Sequence, residues 1–301
     1  MNIYCIVVTY NRLALLKENI EALKSQSYPL DKIIIVNNHS DDGTAEFLDQ
    51  YSSDSQIKAY NLQENIGGAG GYNFGIKKAI LDGADWVWVM DDDSIPDCYA
   101  LEALVDNIDN NTDIGFLCSK VVWTDGKIHK MNIPKFPKPV HNNIESIDTT
   151  TPISAATFVS TIINAKAVYR VGLPIKEFFI WHDDIEYTER IISAGFRGVY
   201  CPSSIVVHKT AENYSPSIED APVSVAWKFY YQARNITVTK KLHKSKLSYL
   251  LSTINLYRLY LRHINKRKTD REIFRSAISK GIKDAIWFHP HIEFIGPTSH
   301  R

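Results

Sequence analysis

Three times in the first 82 residues an apolar run gives way to a polar turn and then to apolar residues at helical spacing, and this alternation constrains the fold more than any other feature. The runs occupy 3–8, 32–36 and 57–62, and the turns follow at 9–12, 37–44 and 64–71. Helices are expected over 13–23 (Leu13, Leu16, Ile20, Leu23), 45–51 and 73–81. Strands alternating with helices predict an α/β fold with a Rossmann-like, doubly wound, mostly parallel sheet, whose ligands bind beyond the carboxyl ends of the strands. Every polar turn lies at such an end, so the turns should converge on one crevice.

A fourth run, 86–90, stops abruptly at Asp91, Asp92 and Asp93. Three adjacent carboxylates at a buried strand end repel one another unless a divalent cation neutralises them, and oxygen ligands favour Mg²⁺ or Mn²⁺, which usually accompany phosphates. The alternative is a solvated acidic turn. Residues 64–73 include Asn65 and the glycines Gly67, Gly68, Gly70 and Gly71 ahead of the third helix. Such a segment either lets backbone N–H groups approach an anion at a helix N-terminus or serves chain reversal alone. It matches neither G-x-G-x-x-G nor the P-loop.

A second acidic group, Trp181-His182-Asp183-Asp184, precedes a helix predicted over 185–194 and closed by Gly195. Asp183 or Asp184 suits its N-cap, and one of the two could act as general base towards an acceptor hydroxyl. Further strands are expected at 155–163 and 198–207. His208 ends the second of these as Asp91 ends its own, and if it reaches the crevice it completes a metal site.

A chain of 301 residues with 45% hydrophobic content can bury a full core. Its formal net charge of +0 conceals a division: residues 1–239 sum to −10 and residues 240–301 to +10. Cys5, Cys98, Cys118 and Cys201 lie far apart, which suits neither a disulfide scaffold nor a zinc site and fits a reducing compartment. No apolar run reaches the roughly 18 residues of a membrane span, and no secretory leader pattern is evident, so a cytoplasmic protein is expected. Residues 132–152 contain Pro134, Pro137, Pro139 and Pro152 and predict a long loop, the kind that commonly forms a lid.

After Pro222 the chain turns helical and basic, which places a boundary between residues 1–222 and 223–301. Residues 227–235 form an aromatic segment carrying Arg234. Leu247, Leu250, Leu251, Ile254 and Leu259 alternate with Arg258, Arg262 and Lys266, so the 240–285 stretch fits the surface of an anionic membrane, a helix pair packed on the first domain, or a second subunit. The acidic remainder disfavours nucleic acid.

The order of these pieces resembles the inverting family 2 glycosyltransferases of the GT-A fold. The resemblance covers residues 1 to about 210 and rests on the Thr9–Arg12 turn, the 37–44 turn, the aspartate triplet, the Asp183-Asp184 pair and His208. It implies a nucleotide-sugar donor, with Thr9, Asn11, Arg12, Asn37, Asn38, Asn65, Gly67, Gly68, Asp91 and Asp92 lining its site. It further implies that Asp91, Asp93 and His208 hold Mn²⁺ or Mg²⁺ on the diphosphate. The glycine-rich segment, the triple aspartate and the Trp181–Asp184 group look most like bacterial galactofuranosyltransferases. The donor would then be UDP-galactofuranose, Asp184 the base, and Trp181, His182, Asp183 and Arg234 neighbours of a lipid-linked glycan acceptor. That implies a peripheral enzyme on the inner face of the cell membrane, contributing to a polysaccharide such as O-antigen or capsule. His182 departs from the Trp-Asp-Asp spacing of polymerising members, which implies addition of one sugar. The rivals are a rhamnosyltransferase using a dTDP-sugar, a sugar nucleotidyltransferase and a non-catalytic glycan-binding module.

Overall fold

The computed structural model describes residues 1–108, 113–137, 144–215 and 217–296. The first half follows the expected alternation: β1 (Ile3–Thr9), α1 (Leu13–Lys24), β2 (Lys32–Asn37), α2 (Thr44–Asp49), β3 (Ile57–Asn61), α3 (Gly67–Leu81) and β4 (Trp86–Asp91). There follow β5 (Ser94–Pro96), α4 (Ala100–Val105), β6 (Ile114–Val122), β7 (Thr151–Ile153), β8 (Thr161–Asn164), α5 (Ala165–Val171), α6 (Asp183–Ser193), β9 (Arg197–His208), α7 (Ala226–His243), α8 (Lys246–Lys266) and α9 (Arg271–Asp284).

Among the described residues nine strands form one sheet in the order β3-β2-β1-β4-β8-β6-β9-β5, with β7 also on β9. Strands β1 to β4 pair in parallel, and β6 and β9 do likewise. Antiparallel pairs β4–β8, β6–β8, β5–β9 and β7–β9 complete the second half. Alternate residues of β1 serve opposite cores: Ile6 and Val8 pack towards Ile76 and Ile80 of α3, whereas Ile3, Cys5 and Val7 pack towards Leu16 and Ile20 of α1. Burial on both faces makes these strands continuous apolar runs.

Several elements differ from the sequence expectation. Helix α3 begins at Gly67, so the glycine-rich segment is the first part of the helix and not a turn ahead of it. The glycines permit close approach: a Cβ on Gly71 would stand 2.6 Å from Val8 Cγ1, and one on Gly67, whose φ is +75°, would stand 2.1 Å from the Phe179 carbonyl oxygen. The strand expected at 155–163 forms only over Thr161–Asn164, and β6 (Ile114–Val122) is a strand for which the sequence raised no expectation. Pro139, part of the expected 132–152 loop, lies outside the described residues; the described remainder of that segment includes a bridge from Lys135 to Ala155.

The C-terminal helices share an apolar core of Phe229, Ala233, Tyr260, Ile264, Phe274 and Ile278. The segment after α9 also grips the sheet-bearing half. Ile295 is buried in its core, Glu293 pairs with Lys77 and accepts at its backbone oxygen from Leu173 N–H at 2.8 Å. No helix among the described residues is long and apolar enough to cross a membrane.

Candidate active site

Parallel register brings the carboxyl ends of β1, β2 and β4 level, with Thr9 opposite Asn37 and Val8 opposite Asp91. His208 reaches the same region because β9 runs beside β5, where it stands opposite Ser94. Ligand atoms of Asp91, Asp93 and His208 all lie within 4.8 Å of one another. His208 Nε2 is 3.1 Å from Asp93 Oδ1, a buried oxygen with no well-aligned donor. Two carboxylates and an imidazole suit a divalent ion such as Mn²⁺.

Supporting contacts fix these groups. The Tyr72 hydroxyl of α3 donates to Asp91 Oδ1 at 2.6 Å. Asn132 Nδ2 donates to Thr157 Oγ1 at 3.0 Å, which leaves Asn132 Oδ1 to accept from His208 Nδ1 at 2.8 Å. A proton held on Nδ1 frees the Nε2 lone pair for a metal. The 132–152 segment thus begins as a wall of the site. Asn132→Ala is expected to weaken Mn²⁺ binding about 10–100-fold, measured by calorimetry on the folded variant; unchanged affinity would show that Asn132 does not orient the imidazole.

The central aspartate does something different. Asp92 accepts from the Thr9 hydroxyl at 2.8 Å and lies 3.5 Å from the Arg12 guanidinium, which also pairs with Asp93. Burial pushes Asp92 up to about 7 despite Arg12, whereas burial at Asp93 is outweighed by His208 and Arg12, which hold it low. Asp91 is raised, by burial first and by Asp93 second.

Four of the residues expected to line the donor site, Asn11, Asn37, Asn38 and Asn65, also tie its loops together. Asn37 Nδ2 donates to Asn61 Oδ1 at 2.8 Å and its Oδ1 accepts from Ser40 N–H; Asn38 Oδ1 accepts from Ile66 N–H at 2.9 Å. Asn65 Oδ1 accepts from Gly67 N–H, and Asn11 Oδ1 from Asp41 N–H. The amino end of α3 is closed as well, because Ala69 N–H donates to the Phe179 carbonyl. At Gly68 alone among the four glycines of residues 67–71 does a Cβ meet open space. Asn65 and Gly67 are thus engaged in local packing, while Gly68 borders open space.

The second acidic pair sits at the start of α6. His182, in a left-handed conformation, holds the cap position, so Asp183 and Asp184 are the first two helical residues and neither is the N-cap. A helix N-terminus favours ionised carboxylates, yet burial dominates. Burial, then the Asp184 charge, raises Asp183 well above the ordinary range. Asp184 is pushed up to about 6 by burial and by Asp91, against the Ile185 N–H that donates to it. Asp91 raises both, and side-chain contacts join the two groups: Tyr72, which donates to Asp91, packs edge-on to Phe158, and Phe158 packs edge-on to Tyr187 of α6. Burial also drives His182 down to about 3, leaving it neutral at pH 7.

Trp181 packs edge-on to Phe229 of α7, and Lys228 lies 5.7 Å from its ring centroid. Lys228 also feels Asp91 and Arg12, which places a cation beside the crevice that the sequence did not single out. Arg234, expected near an acceptor, instead donates to the carbonyls of Glu177 and Phe178 and stacks on Phe288. Asn235 Nδ2 reaches the carbonyls of Phe178, Ile180 and Trp181. This clamp holds a turn in which Phe179, Trp181 and His182 all have positive φ, backbone strain kept in place beside a functional site.

A family model described as Glycosyl transferase family 2 matches residues 4–169. The galactofuranosyltransferase GlfT1 of Mycolicibacterium smegmatis is 26% identical over 221 residues, covering 67% of this chain and 69% of that protein. The solved structure of GalNAc-T7 with UDP, GalNAc and Mn²⁺ superposes with a TM-score of 0.65 at 13% identity, covering 95% of this chain and 56% of that one. The mannosyltransferase PcManGT from Pyrobaculum calidifontis, in complex with GDP-Man and Mn²⁺, gives 0.56 at 17% identity over 95% of this chain and 75% of its own. At such identities the two structures establish the GT-A fold alone.

Proposed function

The chain belongs to glycosyl transferase family 2, and from that premise we propose that it moves galactofuranose from UDP-galactofuranose to a hydroxyl of a lipid-linked glycan precursor, inverting the anomeric centre. The observation that carries this reading is the proximity of two acidic groups: Asp91, Asp93 and His208 on one side, Asp183 and Asp184 at the start of α6 on the other, joined through Tyr72, Phe158 and Tyr187. Similarity to a galactofuranosyltransferase supports the choice of sugar.

Asp91, Asp93 and His208 would hold Mn²⁺ or Mg²⁺, which when bound supplies electrostatic stabilisation to a departing diphosphate. Lys228 adds a protein cation beside the same crevice. Asp184 takes the proton of the acceptor hydroxyl as its oxygen bonds to the anomeric carbon and the bond to the diphosphate breaks. Asp183, deeper and held neutral by burial, keeps a second full charge away from that base. The aromatic face of Trp181 offers a platform for an acceptor sugar.

Calorimetric titration with UDP and with dTDP, each with and without Mn²⁺, followed by transfer assays with UDP-galactofuranose, tests the reading. Metal-dependent preference for UDP and transfer with inversion are expected. Preference for dTDP would replace the sugar assignment, and binding of neither nucleotide would overturn the proposal.

A further inference from the structure

The outer face of α8 has no partner among the described residues, and its chemistry says what covers it. The inner stripe, Tyr249, Thr253, Leu256, Tyr260 and Ile264, turns towards α7 and α9, with Tyr260 and Ile264 buried. Leu247, Leu250, Leu251 and Ile254 fall in a sector of about 100° on the other side at 3.6 residues per turn. Their exposures are 68%, 54%, 55% and 41%. Four large aliphatic side chains in contiguous exposure form a patch that a soluble surface rarely leaves bare.

Charge identifies the occupant. Helix α8 contains Lys246, Arg258, Arg262 and Lys266 and no aspartate or glutamate. Lys244 precedes it and Arg267 and Lys268 follow. Trp287, 81% exposed, sits at the same end, because Lys241 near the end of α7 donates to the Ile286 carbonyl at 2.8 Å and α8 begins directly after α7. Lys266 pairs with Glu219 and Arg267 is buried against the Ile218 carbonyl, which leaves Lys244, Lys246, Arg258, Arg262 and Lys268 as the cations around the face. An aliphatic face, an exposed tryptophan and flanking cations are the attributes of a helix lying in the headgroup region of an anionic bilayer. A symmetric dimer through this face would set Arg258 and Arg262 against their own copies if the helices ran parallel, or against the lysine-rich 240–246 end of the copy if antiparallel, with no acid on the helix to offset them.

We propose that the outer face of α8, with Trp287, docks the protein on an anionic lipid surface. The docking is independent of which sugar is transferred, so its failure and that of the proposed reaction are separable. The experiment is co-sedimentation of the full chain with phosphatidylcholine vesicles containing or lacking phosphatidylglycerol, at low and high KCl, beside light scattering of the protein alone. Binding to the anionic vesicles alone, weakened by salt, is expected. The triple substitution Leu247→Gln, Leu251→Gln, Ile254→Gln should reduce that binding at least about tenfold while nucleotide binding is kept, since it removes three aliphatic contacts from exposed positions. Absence of vesicle binding, or binding that the triple variant retains in full, would overturn the proposal. So would a dimer that the triple variant abolishes, which would assign the face to a second copy.

Discussion

Asp184→Asn should reduce kcat by about 10²–10⁴-fold while UDP affinity in the presence of Mn²⁺ stays at the wild-type level, because the amide keeps the shape of the side chain but cannot take a proton. In the wild type the base is ionised only above its pKa of about 6, so the rate should climb with pH through that region, and the variant should lack the limb. Loss of fold is not the explanation to expect. A carboxyl whose folded pKa is raised contributes stability below its unfolded value of about 4 and loses it as pH rises towards about 6. At neutral pH the neutral amide therefore relieves a burial cost. Retained turnover would move the base to Asp183.

Asp93→Ala should weaken Mn²⁺ binding by more than about 100-fold, since loss of a direct carboxylate ligand exceeds the 10–100-fold typical of supporting residues. It removes the carboxylate that stands 3.1 Å from His208 Nε2 and pairs with Arg12. Nucleotide binding should become indifferent to Mn²⁺. Calorimetry with the metal alone, then with UDP, separates the two effects; a variant that still shows metal-enhanced UDP binding would exclude Asp93 as a ligand.

The parallel half of the sheet was legible because β1, β2 and β4 are buried on both faces and their apolar runs are unbroken. Strand β5 has three residues and α4 six, too short for a period to emerge. Helix α3 was truncated in the sequence reading because glycine is a poor helix former; the contact of Gly71 with Val8 that requires it is invisible without the sheet. Asp91, Asp93 and His208 stood out as polar residues closing apolar strands. Asn132 could not, since it meets His208 across 76 residues with no local pattern to mark it. Arg234 drew notice for its aromatic neighbours, but sequence cannot say which way a guanidinium turns, and here it turns inward to the backbone of 177–178.

That inward turn bears on how such enzymes can be recombined. The donors holding the Trp181 turn come from Asn235 and its neighbour on α7, and His243 near the end of α7 reaches Glu186 on α6 at 3.1 Å. A chimaera spliced at the apparent boundary near residue 222 would inherit the Asp183-Asp184 pair from one parent and the brace that holds the turn before it from another. Exchange of acceptor preference by swapping C-terminal segments should therefore succeed only where the incoming segment brings an arginine–asparagine pair in the same register.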